Sequence, residues 1–474
     1  MKTNRSKTWF IKAVSMVAAV SLSVGLFAGC SKTANDKDDQ GRTIVSVGSW
    51  PSKEGVELDN ANARKARFEE ANPDVVIEPD LWAFDRKTFY AKAAGGQLPT
   101  YFGVGFTEVP EIIASEYSAD LTDALANLGY DGMLNEDVLE IVSDENGRIK
   151  AIPSSCYILG LAYNTEMLKA AGLMAEDGTP QQPKDWYELA EMAVKIKEAT
   201  GKPGFVFPTA NKNGGWIFTP VAWSFGVDFM EKDENGKWQA TFNTPECVEA
   251  LQYIKDLKWK YDVLPSNNLI DGTEYYKIMG TAGAAIQITA GDVPRKLTQY
   301  GMTPDQFGMM ALPAGPKRHV TLLGGGVFCV KNDATPDQID AALRWHETTC
   351  DYKLTEEFKT NNLQAMEKNL ADGQQIGIKS MSIWTDKSEA LAWQHQIIDE
   401  NTNVNPNYVR LYNEFVAECP AEIQPEEPVC CQELYETLDR CIQEVLTSES
   451  ADCAALIAQA AADFQANYLD NLTY

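Results

Sequence analysis

One stretch, residues 147–173, constrains the fold more than any other part of the chain. Its sequence, GRIKAIPSSCYILGLAYNTEMLKAAGL, predicts a strand, a polar loop that carries Tyr157, a second apolar strand that ends at Asn164, and then a helix. A polar loop between two buried strands is typical of a chain that passes from one lobe into another. Clefts between lobes are common places for a ligand to bind.

Length and composition favour a soluble protein with two or more domains. The chain has 474 residues, more than one ordinary core accommodates. Apolar residues make up 44% and charged residues 23%, as in globular proteins. The net charge of −27 would repel phosphate backbones, so we expect no nucleic-acid binding.

The first 29 residues have the pattern of a secretory signal peptide. Four cations lie within residues 1–12, and residues 13–28 are uncharged and mostly apolar. The ending LFAGC resembles the lipobox of bacterial lipoproteins, which implies that Cys30 is lipidated. Ordinary cleavage that leaves Cys30 as a free thiol is the alternative. Residues 30–41 are polar and predict a tether, and stable anchoring requires more than one acyl chain.

Nine cysteines follow Cys30, and five of them lie between residues 419 and 453. Disulfides in this region are compatible with such spacing, but the pairing stays open. No C-x-x-C pair is present to hold zinc.

The N-terminal part of the chain alternates strands and helices. Apolar runs at residues 43–48, 75–78 and 101–106 predict strands, and segments with helical spacing separate them. This order is typical of parallel α/β units. Glu108 follows the third strand, at the end where ligands bind in open α/β sheets.

Successive segments of the chain resemble one protein family. In order they are FEEANPDVVIEPD, AAGGQLPTYFGVG, ADLTDAL, GRIKAIP with LAYNTEMLKAAGL, QPKDWYELAEMA, FNTPECVEALQYIKDL, GTAGAAIQITAGD, FGMMALPAGPK with LLGGGVFCV, and TPDQIDAALRWH. In this order and spacing they are similar to the extracellular solute-binding proteins of ABC importers, in particular the branch that resembles maltose-binding protein. The resemblance covers nearly all of residues 43–470.

The resemblance implies an α/β fold of the two-lobed periplasmic-binding-protein-like type. Each lobe would be a mixed sheet flanked by helices, with a helical C-terminal tail on the second lobe. Crossings at residues 149–162 and 313–323 would form the hinge, and a segment rich in Pro and Glu, 418–428, interrupts the tail. The expected boundaries are 42–153 plus 320–374 for lobe 1, and 154–319 plus 375–474 for lobe 2 with the tail.

Motifs of the common enzyme families are missing. The sequence lacks G-x-S-x-G, a P-loop and H-E-x-x-H. Its three histidines, His319, His346 and His395, offer few candidates for a metal cluster or a Ser-His pair. Paired carboxylates for glycoside cleavage stay open, because 68 acidic residues always offer pairs. We therefore expect no enzymatic activity, no cofactor and no metal.

Aromatic residues beside small or polar ones, at expected loop positions, favour a sugar site. Flat rings stack on the C–H face of a sugar, while carboxylates and amides bond its hydroxyl rim. Trp186, Trp259 and Trp345 lie in predicted helices and are assigned to packing. The candidate ligand contacts are Trp50, Trp82, Phe84, Glu108, Tyr157, Asn213, Trp216, Trp223, Asp292, Gly325 and Trp384.

Two positions depart from the family's pattern. Asp292-Val293-Pro294 stands where an aromatic that stacks on sugar often follows the AAIQI strand, and Thr100 replaces the usual Asp. Maltodextrin as the ligand therefore does not follow from the resemblance.

The resulting prediction is a lipid-anchored monomer on the outer face of the cell membrane. It captures a small molecule, an oligosaccharide, by hinge closure and delivers it to ABC permease subunits. The alternatives are a different cargo, such as a polyol, a peptide or an acidic sugar, and a glycan-active surface enzyme or adhesin.

Overall fold

The computed structural model describes residues 36–267, 269–291 and 293–472. The predicted signal peptide (1–29), the predicted lipidation site Cys30 and the candidate contact Asp292 lie outside the described residues. Within the described ranges, no helix has both the length and the apolar character needed to cross a membrane.

Strands and helices alternate along most of the described chain. The strands are β1 (Thr43–Val47), β2 (Val75–Pro79), β3 (Tyr101–Gly105), β4 (Ile152–Asn164), β5 (Met230–Lys232), β6 (Trp238–Ala240), β7 (Ile286–Ala290), β8 (Phe307–Ala311), β9 (Val320–Val330) and β10 (Glu422–Pro425). The helices of the first part are α1 (Val56–Ala71), α2 (Arg86–Ala94), α3 (Val109–Ala114), α4 (Thr122–Leu128), α5 (Glu136–Val142), α6 (Thr165–Ala170), α7 (Trp186–Thr200), α8 (Asn213–Phe225) and α9 (Pro245–Trp259). Those that follow are α10 (Gly272–Gly280), α11 (Pro294–Thr298), α12 (Pro336–Glu347), α13 (Glu356–Ala371), α14 (Glu389–Glu400), α15 (Pro406–Glu418), α16 (Cys431–Thr447) and α17 (Cys453–Asn467). Short 3-10 helices cover Phe106–Glu108, Pro304–Gln306 and Leu469–Asn471.

The main sheet is mixed, with the strand order β2-β1-β3-β9-β4-β7. β1 is parallel to β2 and β3, whereas β9 is antiparallel to both β3 and β4. The three strands expected near the N-terminus are β1, β2 and β3, within one or two residues of the predicted bounds. The parallel α/β prediction is therefore confirmed for this part of the chain.

β4 and β9 are long strands that link two groups of strands. The first group is β1, β2 and β3, and the second is β7 and β8. The first half of β4 pairs with β9, from Ile152 opposite Phe328 to Ile158 opposite Leu323. Its second half pairs with β7 and β8 instead. The first half of β9 also carries β10, which runs parallel to it. These three strands are therefore the connections between the two groups.

The prediction of a polar loop within residues 147–173 is wrong. Its residues belong to β4, which continues as one strand through the segment PSSCY and shifts register only between Pro153 and Ser155. The backbone of β9 supplies hydrogen-bond partners there, so polar side chains are accommodated within a strand. The following helix, α6, is capped by the Asn164 side chain, as the Tyr163–Asn164 boundary predicts.

Buried side chains form two large clusters, as a two-lobed fold requires. One surrounds β1, β2 and β3 and includes Phe68, Phe102 and Trp345. The other lies among α7, α8, α9, α16 and α17 and includes Trp186 and Trp223. α16 and α17 contribute to the second cluster, and α16 packs on α8 and α9. α15 packs on β8 and places Val409, Tyr412 and Phe415 in the first cluster.

The end of the predicted tether contacts the folded part of the chain. Lys37 Nζ lies 2.6 Å from Asp337 and 2.9 Å from Thr43 Oγ1, and residue 37 forms a bridge with Thr43. The nine cysteines after Cys30 are all described, and none of them is in a disulfide.

Candidate functional site

The three strands β4, β9 and β10 form a narrow connection, and glycines set its spacing. A Cβ on Gly324 would lie 2.5 Å from the phenol ring of Tyr157, and one on Gly325 would lie 2.3 Å from the Ser155 carbonyl oxygen. These positions therefore need glycine for close approach. The glycines therefore allow the Tyr157 ring to lie against β9.

Tyr157 meets an aromatic residue from the second group. Its ring lies 6.4 Å from that of Trp216, at an interplanar angle of 88°. Both side chains are half-buried. Trp216 is in the first turn of α8, and Asn213, the first residue of this helix, donates hydrogen bonds to the Ala210 and Asn211 carbonyls. The pair presents two perpendicular ring faces beside the connecting strands.

Arg86 and two acidic residues form the charged part of the first group. Arg86, the first residue of α2, places Nη1 2.5 Å from Glu108 and Nη2 2.5 Å from Glu111. Tyr90 donates a hydrogen bond of 2.9 Å to Glu111. Burial raises the pKa of Glu108 above its usual range, although Arg86 opposes that shift. Burial also opposes the charge on Arg86, but the surrounding carboxylates raise its pKa well above the ordinary value.

Residues at the N-terminus of α16 also contact this cluster. Glu433 Oε1 lies 3.2 Å from Arg86 Nε, and the Cys430 backbone N–H donates to Glu111 at 2.7 Å. Gln432 Nε2 lies 3.4 Å from Thr107 Oγ1. Because α16 packs on α8 and α9, these bonds join α2 and α3 to the helices of the second cluster.

Two more carboxyl groups lie where β10 leads into α16. Glu426 accepts a hydrogen bond of 2.7 Å from the Tyr435 hydroxyl, and Glu427 accepts one of 3.0 Å from Trp223 Nε1. Burial raises the pKa of each carboxyl to about 7, and the hydrogen bonds oppose the shift. Both acids, with Phe106, line a cavity of about 790 Å³ that extends along α3 and α5.

The matching family model spans most of this architecture. It is the model of the bacterial extracellular solute-binding protein family, and it matches residues 52–347. The chain belongs to this family. The match contains the strands β2 to β9 and the Tyr157, Trp216 and Arg86 positions, whereas α16 lies beyond it.

Among the curated relatives of this solute-binding protein, one is named for its ligand and another only for its transporter class. YcjN of Escherichia coli, named as an ABC transporter periplasmic-binding protein, is 27% identical over 289 residues, which cover 59% of this chain and 62% of YcjN. UgpB of Salmonella typhimurium, an sn-glycerol-3-phosphate-binding periplasmic protein, is 24% identical over 67% of this chain and 78% of its own. The match thus spans less than two thirds of YcjN.

A solved structure confirms the two-lobed fold. The maltose-bound MalE3 of T. maritima aligns with 90% of this chain and 99% of its own, at a TM-score of 0.62 and 22% identity. The predicted fold class, a two-lobed α/β protein with lobes of mixed sheet and helices, is therefore confirmed.

The solute-binding protein keeps several of its predicted contacts near one another. Tyr157 and Trp216 touch, Gly325 lies on the strand beside Tyr157, and Glu108 is bound to Arg86. Trp82 and Phe84 lie together after β2, where Trp82 packs on Phe102 with ring centroids 6.1 Å apart.

Other predicted contacts are buried among protein groups. Trp50 is 7% exposed and stacks on Trp345. Trp223 is fully buried and bonds Glu427. Trp384 packs on Tyr130 and Tyr352. The expectation that Trp216 and Trp223 lie in loops is wrong, because both belong to α8, which accommodates Pro220 within it.

Sequence reasoning did not single out the charged groups of the site. Arg86, Glu111 and Glu433 come from segments that are far apart in the chain, and nothing in the sequence brings them together. A sequence signal in this region is the segment 418–428, rich in Pro and Glu, which contains Glu426 and Glu427 and ends shortly before α16. Among the described residues, no group of three or more His, Cys, Asp or Glu side chains is placed to hold a metal ion.

Proposed function

We propose that this protein captures an oligosaccharide between its two lobes and delivers it to the permease subunits of an ABC importer. It acts as a monomer without a cofactor, on the outer face of the cell membrane, anchored through lipidated Cys30. Lobe 1 comprises residues 42–153 plus 320–374, and lobe 2 comprises 154–319 plus 375–474.

The aromatic pair of Tyr157 and Trp216 carries this proposal. Its two half-buried rings meet at 88°, one on a connecting strand and one on a helix of lobe 2. A sugar ring can stack on one face while its edge meets the other, and each such contact adds about 0.5–1.5 kcal/mol beyond area burial. The maltose bound to the T. maritima neighbour supports a sugar as the ligand class.

Polar groups beside the rings would bond the sugar hydroxyls. Glu108 and Asn213 are the described candidates, with Asp292 a further one from the sequence. Trp82 and Phe84 extend the lobe 1 wall. Trp50, Trp223 and Trp384 support the walls through packing, because their rings are buried.

Ligand capture would proceed by closure about β4, β9 and β10. A ligand shifts a conformational equilibrium only by the difference in its affinity for the two states, so it must touch both lobes.

A thermal-shift screen of neutral oligosaccharides, followed by calorimetry, tests the proposal. We expect one sugar to bind and Trp216→Ala to weaken it about tenfold, because a stacking face and its buried area are lost. Small-angle scattering should show a smaller radius of gyration when that sugar is added to the wild type.

Trp238→Ala is the matched control, since Trp238 lies on the β5–β6 hairpin away from α8. Its affinity for the sugar should equal that of the wild type. Equal affinity in Trp216→Ala would remove Trp216 from the site, and hydrolysis of the sugar during the incubation would favour the enzyme alternative.

A further inference from the structure

The N-terminus of α8, beside the aromatic pair, is already filled by a carboxylate. Free backbone N–H groups at such a terminus are a ready-made site for phosphate. α8 has no capping side chain of its own, and Asp439 from α16 takes that role. Its Oδ2 accepts from the Lys212 N–H at 2.6 Å and its Oδ1 from the Gly215 N–H at 2.8 Å.

This carboxylate is part of the packed interior. Asp439 is 4% exposed, and a Cβ added to Gly214 would approach its Oδ1 to 2.7 Å. An incoming phosphate would have to displace a buried carboxylate that is held by two backbone donors. The amides most suited to an anionic solute are therefore occupied by the protein itself.

The guanidinium that joins the lobes is occupied in the same way. Arg86 directs its three nitrogens at Glu108, Glu111 and Glu433, at 2.5, 2.5 and 3.2 Å. An anionic solute would compete with all three carboxylates for one cation. Breaking such a partly buried network leaves charges without partners, which is costly.

The carboxylates around Arg86 outnumber its single positive charge. Glu108, Glu111 and Glu433 surround one guanidinium, and Glu426 interacts electrostatically with Glu108. Like charges at close range oppose the entry of an anion.

We infer that the interlobe cleft selects against phosphate- and carboxylate-bearing solutes, with Asp439 and the carboxylates around Arg86 as the determinants. The inference rests on the proposed function, which gives the location of the ligand site. It narrows the ligands of that site to solutes without negative charge. The inferred ligand preference therefore differs from that of the Salmonella relative, which is named for binding sn-glycerol 3-phosphate.

Calorimetry on the wild-type protein tests the inference directly. The probes are sn-glycerol 3-phosphate, inorganic phosphate and the neutral oligosaccharides of the screen. We expect both phosphate probes to bind at least a hundredfold more weakly than the best neutral sugar. A phosphate probe that binds as tightly as the best sugar, or binds when no sugar does, overturns the inference.

The two proposals fail in different arms of this experiment. Absence of binding by every neutral sugar contradicts the oligosaccharide function, whatever the phosphate probes do. Absence of phosphate binding in a protein that binds a neutral sugar supports the inference, and the Asp439 variants test it when no sugar binds.

Removal of the internal carboxylate tests the assigned determinant. In Asp439→Ala the α8 amides are freed, so inorganic phosphate should raise Tm relative to chloride at equal ionic strength, with no such rise in the wild type. Asp439→Asn keeps an acceptor but removes the charge, and should show a smaller rise. It also serves if the alanine variant does not fold.

Glu436→Ala, at an exposed position on the same helix, is the control and should respond as the wild type does. A phosphate response missing from both Asp439 variants, or equal in the Glu436 variant, would remove Asp439 as the determinant.

Discussion

Burial changes the protonation of a single residue, Glu427. The side chain is 7% exposed, and burial raises its pKa from 4.5 to about 7 despite the hydrogen bond from Trp223. Between pH 4.5 and 7 the folded protein therefore holds a proton that the unfolded chain has released. Under this condition the free energy of unfolding falls as pH rises. A shift of this size corresponds to about 3 kcal/mol.

We predict that Glu427→Gln loses this pH dependence. Urea unfolding at pH 5 and pH 8 should show the variant gaining up to about 3 kcal/mol relative to the wild type between the two pH values, because glutamine has no proton to lose. Glu418→Gln, at an exposed position before β10, should keep the wild-type profile. Parallel profiles of Glu427→Gln and the wild type would contradict the assignment.

Single residues were also where sequence reasoning reached its limit. Trp50 and Trp216 have the same local signal, an aromatic next to small or polar residues. Trp50 is buried because Trp345, nearly 300 positions away, stacks on it. Arg64 in turn lies over the Trp345 ring. Trp216 stays half-buried because its neighbour is Tyr157 at the connecting strands. Partners this distant leave no trace near the residue in sequence.

At the scale of elements, the glycines of β9 set how closely the connecting strands pack. We predict that Gly325→Ala destabilises the protein by about 1–3 kcal/mol, since the new Cβ would meet the Ser155 oxygen at 2.3 Å and the Phe106 ring at 2.7 Å. Denaturant unfolding measures the loss.

The next residue along β9 supplies the control for this change. A Cβ on Gly326 would approach the Ser154 hydroxyl no closer than 3.4 Å, so Gly326→Ala should cost much less. Equal losses in the two variants would indicate that glycine flexibility, and not close contact, governs this strand.

The elements themselves were predictable to different degrees. β4 and β9 carry long apolar runs, so strands at these two places could be predicted from sequence. β10 is only four residues, EIQP, with partly exposed positions and a proline at its end. Its existence depends on pairing with β9, which short-range patterns do not reveal.

At the scale of the whole molecule, the order of motifs along the chain was sufficient for the two-lobed plan. Each motif is weak alone, but their order resembles that of one family, and the two-lobed fold that the resemblance implies is the one observed. The contacts of α16 with Arg86 and Glu111 did not follow, because they depend on how the C-terminal helices pack on α8 and α9. The two-lobed fold could thus be predicted from sequence, while the charged contacts between α16 and α2 could not.

The net charge of the whole chain bears on the proposed lipid anchor. With a net charge of −27, the protein is repelled by the anionic lipids of a bilayer surface. We predict that Cys30→Ser shifts the protein from the membrane fraction to the medium or soluble fraction in cell fractionation, because it loses its acyl chains. Cys419→Ser, which changes a thiol in the folded part, should stay with the membrane. Retention of Cys30→Ser with the membrane, or the absence of labelled fatty acid on the wild type, would contradict the lipid anchor.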